Sequence, residues 1–395
     1  MNRRDAIKAL TALSAASLGV NLYAAGSMQR PRFLLVFLRG GYDCANLLVP
    51  ISSSFYYEAR PNIAIAKPSQ EATSALPLDA NWGLHPVLRE SIYPLWGAGQ
   101  IAFIPFAGTD DLTRSHFETQ DSIELGQALS GVRNFQSGFL GRLASVLNGT
   151  EAIAFTDQLP VVFRGQKQVP NMALRSIGKP SIDARQSAII AAMYRNTPLA
   201  VPVAEGFAVR DDVTREMAAE MEAASRNAIT AKGFELEARR IAKVMRDKYA
   251  LGFVDVGGWD THVGEGGATG YLAGRLDELG RGLAAFADEL GPQWDNTTVV
   301  VLSEFGRTFS ENGNRGTDHG HGSAYWVLGG SLRGGRVTGE QMKVEATSLF
   351  QNRDFSVLNE YRRLLGGLFA RLYGLNTEQL AQVFSGVQPL DLALL

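Results

Sequence analysis

The fold is decided by residues 32–41, which read RFLLVFLRGG. The apolar run that follows the first arginine is continuous, and it ends at a second arginine and two glycines. Such a run predicts a strand buried on both faces, which is typical of parallel sheets. Four more apolar runs of similar character follow along the chain, at residues 101–106, 251–256, 297–302 and 325–328.

Helix-forming segments separate these strands. Leucines at spacings of three and four predict a helix over residues 269–290, and Gly291-Pro292 ends it. Residues 211–249 and 357–373 predict two more helices. Strands that alternate with helices predict an α/β fold with a mostly parallel, doubly wound sheet between helix layers. Residues 150–205 contain five prolines and weak periodicity, so we expect a less regular insertion or cap there.

The first 27 residues have the pattern of an export leader. Arg3 and Arg4 precede an apolar run over residues 9–20, and small residues follow at 24–26. This pattern is typical of a twin-arginine signal peptide, so we expect residues 28–395 to form a single mature domain. The run is too short, and too rich in alanine and serine, to span a bilayer stably. We therefore predict export by the twin-arginine translocase to the periplasm or beyond, with no stable membrane span in the mature chain.

Composition and charge exclude several classes of function. With 45% apolar and 20% charged residues, the chain has the composition of a globular protein. Its net charge of −2 provides no basic surface for a nucleic-acid backbone. The single cysteine, Cys44, cannot form an internal disulfide, and we interpret it as a small buried apolar side chain.

Histidine is scarce and unevenly placed. Four of the five histidines stand close to a carboxylate or a second histidine. Imidazole and carboxylate are the ligands that zinc prefers, so this concentration predicts a metal site. His85 has no acidic neighbour, and we expect it to pack at the start of a helix. The motifs are Ser115-His116-Phe117-Glu118, Asp260-Thr261-His262 and Asp318-His319-Gly320-His321.

Polar residues follow four of the predicted strands at the point where each strand ends. In open α/β sheets, ligands bind outside the carboxyl ends of the strands, so these residues should meet in one crevice. In strand order they are Asp43, then Ser115 with His116, then Asp260 with His262, and then Glu304.

Two interpretations stay open at most of these positions. The histidines and aspartates of the second and third motifs are candidate metal ligands, or members of a polar network without an ion. Asp43 is a candidate ligand, or it forms an Asx turn that leaves the strand. The candidate ligands of those two motifs are Asp260, His262, Asp318, His319 and His321.

The start of the helix after the second strand also permits two interpretations. Ser115 with Glu118 can form a capping box. A hydroxyl at a helix N-terminus is also a candidate nucleophile, with His116 beside it to bind an anion. Arg307, after the fourth strand, suits a bidentate hold on phosphate or sulfate, or a structural salt bridge.

Together these motifs resemble the bacterial family known as domain of unknown function 1501. The resemblance covers nearly the whole mature chain, and that family is similar in turn, more distantly, to the alkaline phosphatase and sulfatase superfamily. It implies a mostly parallel sheet between helix layers, with one or two metal ions at the strand ends and a nucleophile at a helix start. The matching segments are residues 37–43, 114–117, 258–262, 303–308 and 318–322.

The resemblance also implies roles for individual residues. Ser115 resembles the nucleophile, and Phe305 stands where a histidine ligand is expected, which implies one ion or an incomplete second site. Zinc is the ion expected, with magnesium, manganese and calcium as alternatives. Cys44 lies outside any Cys-x-Pro-x-Arg sequence, so a formylglycine sulfatase is not expected. The residues that match ligand positions are Asp43, Asp260, His262, Glu304 and either His319 or His321.

These features indicate an exported, metal-dependent hydrolase of a phosphate or sulfate ester. Ser115, His116 and Arg307 would act on the substrate, a small-molecule or envelope-polymer ester. One alternative is a catalytically silent periplasmic binding or assembly protein that keeps the fold and at most one ion. A metal-dependent transferase that modifies an envelope polymer is another.

Overall fold

The computed structural model describes residues 30–172, 184–208 and 233–395. The predicted leader, residues 1–27, lies outside those ranges, as do parts of the predicted helix 211–249 and of the region 150–205. Pro31–Leu395 is a compact unit, and the described strands and helices belong to it.

Long strands occupy the predicted apolar runs, and shorter strands lie between them. The five predicted strands are confirmed as β1, β5, β7, β8 and β9. In chain order the strands are β1 (Arg32–Arg39), β2 (Leu48–Val49), β3 (Leu76–Pro77), β4 (Gly83–Leu84), β5 (Ile101–Gly108), β6 (Ala152–Ala154), β7 (Leu251–Gly257), β8 (Thr297–Ser303), β9 (Ser323–Gly329), β10 (Arg336–Val337) and β11 (Asn359–Glu360).

The predicted helices that the structure describes are also present. Those at 269–290 and 357–373 correspond to α8 and α9, and the described part of 211–249 contains α7. Gly291, with a φ of +55°, ends α8 as its sequence predicts. The helices are α1 (Cys44–Leu47), α2 (Ser54–Ala59), α3 (Ile92–Gly97), α4 (His116–Leu125), α5 (Phe139–Val146), α6 (Ala184–Tyr194), α7 (Phe234–Asp247), α8 (Tyr271–Leu290), α9 (Tyr361–Tyr373) and α10 (Thr377–Val383).

The main sheet is mostly parallel, as predicted. Its strand order is β10-β5-β9-β8-β1-β7-β6, and β11 pairs with β5. β1 lies in the middle, parallel to both β7 and β8, with Leu35 opposite Phe253 and Val300. β9 is the exception, because it runs antiparallel to both of its neighbours, β5 and β8. A small antiparallel sheet contains β2, β3 and β4.

Helices cover both faces of this sheet. Alternate side chains of β1 enter different apolar clusters, because successive residues of a strand point to opposite faces. Leu34, Val36 and Leu38 pack in the cluster that includes residues of α7 and α8. The other side chains of β1, among them Leu35, pack with residues of α5, α9 and α10. The predicted doubly wound, three-layer arrangement is therefore confirmed.

The structure differs from the prediction at the start of residues 150–205, the region that we expected to be irregular. β6 adds an edge strand to the main sheet, parallel to β7, with Ile153 opposite Gly252. Its three-residue apolar run is too short to give a strand signal in the sequence. Part of residues 150–205 therefore extends the sheet.

The direction of β9 decides where the segment before it lies. β1, β5, β7 and β8 run the same way, so their carboxyl ends share one edge of the sheet. Because β9 runs the opposite way, residues 318–322, which precede it, lie at that same edge. Segments that follow four strands and one that precedes a fifth therefore meet there.

Among the described helices, none combines the length and the apolar character that a membrane span requires.

A cavity beside the central strand should destabilise the protein. Leu35 is 1% exposed in β1. We expect Leu35→Ala to lower the free energy of unfolding by about 2–5 kcal/mol, because the neighbouring side chains cannot fill the lost volume. Urea unfolding measures the change. The control is Leu129→Ala, at a side chain that is 36% exposed, which should change stability by less than about 0.5 kcal/mol. Equal effects of the two substitutions would contradict the core position of Leu35.

Candidate metal centre

Two glycines allow the segments at this edge to approach one another. Gly40, directly after β1, has a φ of +126°, and a Cβ there would lie 2.8 Å from the backbone nitrogen of Asp260. A Cβ on Gly316 would lie 2.4 Å from the carbonyl oxygen of His262. Only glycine permits such close approaches. The segment after β7 is therefore held between the end of β1 and the segment before β9.

Asp260 lies at the centre of the resulting cluster. Its Oδ1 is 2.9 Å from Nε2 of His262 and 3.2 Å from Nε2 of His319. Its Oδ2 is 3.5 Å from Nε2 of His116. The Nε2 atoms of His262 and His319 are 3.2 Å apart. Three histidines from three distant segments thus turn the same ring nitrogen towards one carboxylate.

The second ring nitrogen of each histidine contacts a hydrogen-bond acceptor. A carbonyl oxygen only accepts hydrogen bonds, so the proton of a neutral His319 lies on Nδ1. An ionised carboxylate also only accepts, so the proton of a neutral His116 or His262 lies on Nδ1 as well. Each neutral ring therefore presents the lone pair of Nε2 to the cluster. The contacts are Nδ1 of His116 with Oε1 of Glu304 at 2.8 Å, Nδ1 of His262 with Oδ1 of Asp318 at 3.0 Å, and Nδ1 of His319 with the carbonyl oxygen of Arg114 at 3.0 Å.

A divalent ion suits these nitrogens when the rings are neutral. Nε2 of His116 is buried and has no hydrogen-bond partner among the described residues. The facing Nε2 atoms of His262 and His319 form a hydrogen bond only if one ring takes up a second proton. In a tetrahedral zinc site with bonds of about 2.0–2.1 Å, neighbouring ligand atoms lie about 3.3 Å apart. Ligand atoms of His116, Asp260 and His319 all lie within 4.8 Å of one another, so these three could hold one ion, and Nε2 of His262 lies beside them, 3.2 Å from Nε2 of His319.

The structure places Glu304, a predicted ligand, behind His116. Its Oε1 accepts hydrogen bonds of 2.8 Å from the backbone N–H of Gly40 and from the side-chain amide of Gln120. Its Oε2 accepts another from Ser303 at 2.9 Å. Burial alone would raise the pKa of Glu304, but the hydrogen bonds from His116 and Gln120 lower it. Both oxygens of an ionised Glu304 are therefore engaged, and the residue orients the His116 ring.

Asp318, also a predicted ligand, has the same relation to His262. Its Oδ1 contacts Nδ1 of His262 and accepts a hydrogen bond of 3.1 Å from the side-chain amide of Asn312. Carboxylates that hold the outer nitrogen of a metal-binding imidazole fix the ring and increase its basicity. Asp318 and Glu304 therefore have the positions of ligand-orienting residues.

The electrostatic environment keeps Asp260 ionised. Burial alone would raise its pKa, but the hydrogen bond and the charge of Arg307 lower it. The hydrogen bond to Glu304 raises the pKa of His116. The pKa of His319 is lowered, first by burial and then by the neighbouring His116. The ionised carboxylate of Asp260 and the neutral ring of His319 together favour the binding of a cation among the Nε2 atoms.

The guanidinium of Arg307 is buried and already engaged. Its Nη1 donates to Oδ1 of Asp260 at 2.7 Å, its Nε donates to Oγ1 of Thr317 at 3.2 Å, and its Nη2 donates to the carbonyl oxygen of Thr317. This geometry matches the salt-bridge interpretation rather than an open clamp for an anion. Arg307 therefore orients Asp260.

Ser115 is the N-cap residue of α4, but the capping box, one of the two interpretations of this helix start, does not form. Its side chain accepts no hydrogen bond from the first turn of the helix. Arg114, directly before it, has a φ of +51°, which is strained for a residue with a side chain. The carbonyl of Arg114 contacts His319, and His116 belongs to the cluster. Ser115 therefore stands in the chain between two residues that contact the cluster, and its hydroxyl makes no capping bond to the helix.

The side chain of Arg114 fixes this strained turn. Its Nε donates to Oδ2 of Asp354 at 3.0 Å, and its Nη2 donates to Gln351 at 2.9 Å. The Asp354 side chain is fully buried. Backbone strain persists only where the surrounding structure determines it. The ion pair with Asp354 supplies that constraint beside Ser115.

Asp43 is engaged away from the cluster. Both of its oxygens accept from the fully buried guanidinium of Arg60. Its Oδ1 also accepts from the backbone N–H of Ala45 at 3.3 Å, which is the predicted Asx alternative. Burial alone would raise the pKa of Asp43, but the charge and hydrogen bonds of Arg60 lower it. The adjacent Cys44 is free and buried, as predicted.

His321 and His85 lie outside the cluster. The ring of His321 packs against Phe350, with centroids 5.0 Å apart, and burial lowers its pKa to about 4. Of the two candidates for the last ligand, the structure therefore brings His319 to Asp260. His85 is the buried N-cap of the 3-10 helix Pro86–Leu88, in agreement with the sequence prediction.

Sequence reasoning missed two residues beneath the site, Arg60 and Glu265. Oε2 of Glu265 accepts hydrogen bonds of 2.8 Å from the hydroxyls of Thr261 and Thr317. Glu265 stands in the segment Gly264-Glu265-Gly266-Gly267, close behind His262. A carboxylate among glycines so close to a ligand motif was a usable signal. Arg60 lies in no such motif.

The family known as DUF1501, described as protein of unknown function, matches residues 102–384. This chain belongs to that family. The match includes the whole cluster around Asp260, with His116, His262 and His319, as well as Ser115. The family description assigns no activity. No curated protein matches the sequence.

Several solved structures are similar in fold. Ps i-CgsB in complex with k-i-k-neocarrahexaose has 11% identity and a TM-score of 0.38, over 89% of this chain and 74% of that chain. A protein in the alkaline phosphatase superfamily from Vibrio parahaemolyticus has 13% identity and a TM-score of 0.34, over 76% and 60%. The C-terminal periplasmic domain of EcEptC from Escherichia coli, in complex with Zn, has 11% identity and a TM-score of 0.29, over 77% and 74%. At these identities and TM-scores the likeness assigns no function to this chain.

The buried pair of Asp43 and Arg60 gives a stability prediction. Arg60→Met should lower the free energy of unfolding by about 3–5 kcal/mol, because it leaves a buried carboxylate without its counter-charge. Urea unfolding measures the change. Adding Asp43→Asn to this variant should restore part of the loss. Arg89→Met, at an exposed arginine, is the control. An Arg60 variant as stable as the control would contradict the pairing.

Proposed function

We propose that this protein is an exported, metal-dependent hydrolase of a phosphate or sulfate ester, with Ser115 as its nucleophile. The observation that carries the proposal is the convergence of three Nε2 atoms on Asp260. The acceptors behind the three rings support it, because they leave these nitrogens free to bind an ion.

The proposed ligands are Nε2 of His116, His262 and His319, together with a carboxylate oxygen of Asp260. Three imidazoles and one carboxylate favour zinc over magnesium or calcium, which prefer oxygen ligands. When bound, a divalent ion supplies Lewis-acid polarisation of an ester oxygen and lowers the pKa of a nearby hydroxyl. The side chain of Asp260 is 45% exposed, so a substrate can approach this position.

We propose one ion per chain. Asp43 and Glu304, which the resemblance makes candidates for further ligands, have their oxygens engaged by Arg60 and by His116. Phe305 stands where another histidine is expected, and its ring packs against His116 with centroids 4.9 Å apart. An apolar ring at that position supplies no ligand for a second ion.

Ser115 is the proposed nucleophile because its hydroxyl makes no capping bond and because the residue directly precedes His116, a proposed ligand. Attack by Oγ on phosphorus or sulfur would form an ester of Ser115 and release the alcohol. Water would then hydrolyse that ester and restore the hydroxyl. The free backbone N–H groups at the start of α4 would stabilise the anion, a task for which the engaged Arg307 is poorly placed.

Export and substrate class belong to the same proposal. The twin arginines and apolar run of residues 1–27 support translocation of the folded protein to the periplasm or beyond. An ester of a small molecule or of an envelope polymer would be accessible there. Fractionation of cells that express a tagged protein, with Arg3→Lys and Arg4→Lys together as the comparison, tests the location.

The first prediction for the site concerns the ion. Protein purified from its native compartment should contain close to one zinc per chain by elemental analysis, and His319→Ala should lose it, because one ligand is removed. The matched control is His321→Ala, two residues away and outside the cluster, which should keep the ion. Loss of zinc in the His321 variant alone would contradict the proposed ligand set.

The second prediction separates chemistry from metal binding. Ser115→Ala should keep the ion but lose turnover by a factor on the order of 10³ or more, because the nucleophile is absent. Initial rates on a panel of phosphate and sulfate esters measure this, with Ser52→Ala as an exposed-serine control. A Ser115 variant with wild-type turnover would exclude it as the nucleophile. A wild type that binds zinc but hydrolyses no ester would favour the silent binding protein.

A further inference from the structure

We infer that Glu265 is a positioning residue, which joins the two ligand-bearing segments of the metal centre from beneath. The inference rests on the proposed function, because the cluster that Glu265 positions is the proposed ion site. Glu265 is fully buried, and the hydrogen bonds that its side chain accepts in the described structure come from Thr261 and Thr317, which are not proposed ligands.

One oxygen of Glu265 connects the segments. Oε2 accepts a hydrogen bond of 2.8 Å from Oγ1 of Thr261 and another of 2.8 Å from Oγ1 of Thr317. Thr261 stands between Asp260 and His262 in the segment after β7. Thr317 lies in the segment before β9, two residues before His319. A backbone hydrogen bond of 3.0 Å from Thr317 to Thr261 keeps the two segments paired.

Thr317 extends this connection to the centre of the cluster. It accepts from Nε and Nη2 of Arg307, whose Nη1 donates to Asp260. Displacement of Thr317 would therefore move Arg307, and with it the carboxylate that three imidazoles share. Loss of Glu265 should change the spacing of the ligand atoms even though no ligand is removed.

The second oxygen of Glu265 indicates whether the carboxyl group is protonated while it joins the two segments. Oε1 is buried and receives no hydrogen bond within the described part of the chain, and the Glu265 side chain interacts with the carboxylate of Asp43, which is paired with Arg60. Two ionised carboxylates would repel each other, so the contact is favourable when Glu265 keeps its proton and donates it to Asp43. Burial and the charge of Asp43 raise the pKa of Glu265 well above its ordinary value. A neutral carboxyl offers one donor and one acceptor, as a side-chain amide does.

That similarity gives a sharp test. In Glu265→Gln, the amide oxygen can accept from both threonines and the amide N–H can donate to Asp43, so zinc affinity should match the wild type. Glu265→Ala removes both sets of contacts and should weaken zinc binding roughly 10- to 100-fold. The measurement is competition with a chelator of known affinity, and Glu90→Ala, at an exposed carboxylate, is the control.

Thermal unfolding of the zinc-free proteins distinguishes positioning from a general loss of stability. Thr261→Val keeps the side-chain volume but removes one hydrogen bond to Glu265. It should weaken zinc binding while the zinc-free protein unfolds at nearly the wild-type temperature. Zinc affinity unchanged in both Glu265→Ala and Thr261→Val would overturn the inference. Zinc affinity as weak in Glu265→Gln as in Glu265→Ala would overturn the proton-donor role.

The same experiment separates this inference from the proposed function. A wild type that binds no zinc refutes the proposed function, and the positioning role is then refuted with it. A wild type that binds zinc with an affinity independent of Glu265 refutes the positioning role alone.

Discussion

Asp260 is shared by three imidazoles and one guanidinium, and the arrangement of the whole site depends on that sharing. Its carboxylate is within 3.5 Å of Nε2 of His116, His262 and His319, and it accepts a hydrogen bond from Arg307. Arg307 is held in turn by Thr317. A single negative charge thus gathers segments that the chain separates widely, and the surrounding residues fix how that charge is presented.

Much of the fold could be predicted from the sequence, because strands buried on both faces leave a strong signal. The five long apolar runs became β1, β5, β7, β8 and β9. The rule that ligands collect at the carboxyl ends of strands brought His116, Asp260 and His262 together correctly. The apolar runs do not show whether a strand runs parallel or antiparallel to its neighbours. The sequence of β9 is as continuously apolar as those of β5 and β8, yet β9 runs antiparallel to both. Strand direction depends on the packing of the whole sheet and not on the local sequence alone.

The assignment of roles within the site was less predictable. A motif shows which side chains carry ligand chemistry, but not which of their atoms are already engaged. Glu304 and Asp318 hold the outer nitrogens of two imidazoles, and Asp43 pairs with Arg60. Arg60 follows α2 in a segment with no motif, so only the folded structure shows that it neutralises Asp43. The choice between His319 and His321 likewise depends on backbone geometry that local spacing does not fix.

The long sequence separations within the cluster also have a consequence for the order of events during folding. His116 and the Glu304 that orients it are 188 residues apart, and His319 contacts a carbonyl 205 residues away. Contacts of such high contact order form late, because the entropy of closing long loops must be overcome first. In the proposed metal centre, an ion would therefore be bound only after the β-sheet has assembled, and would not nucleate folding.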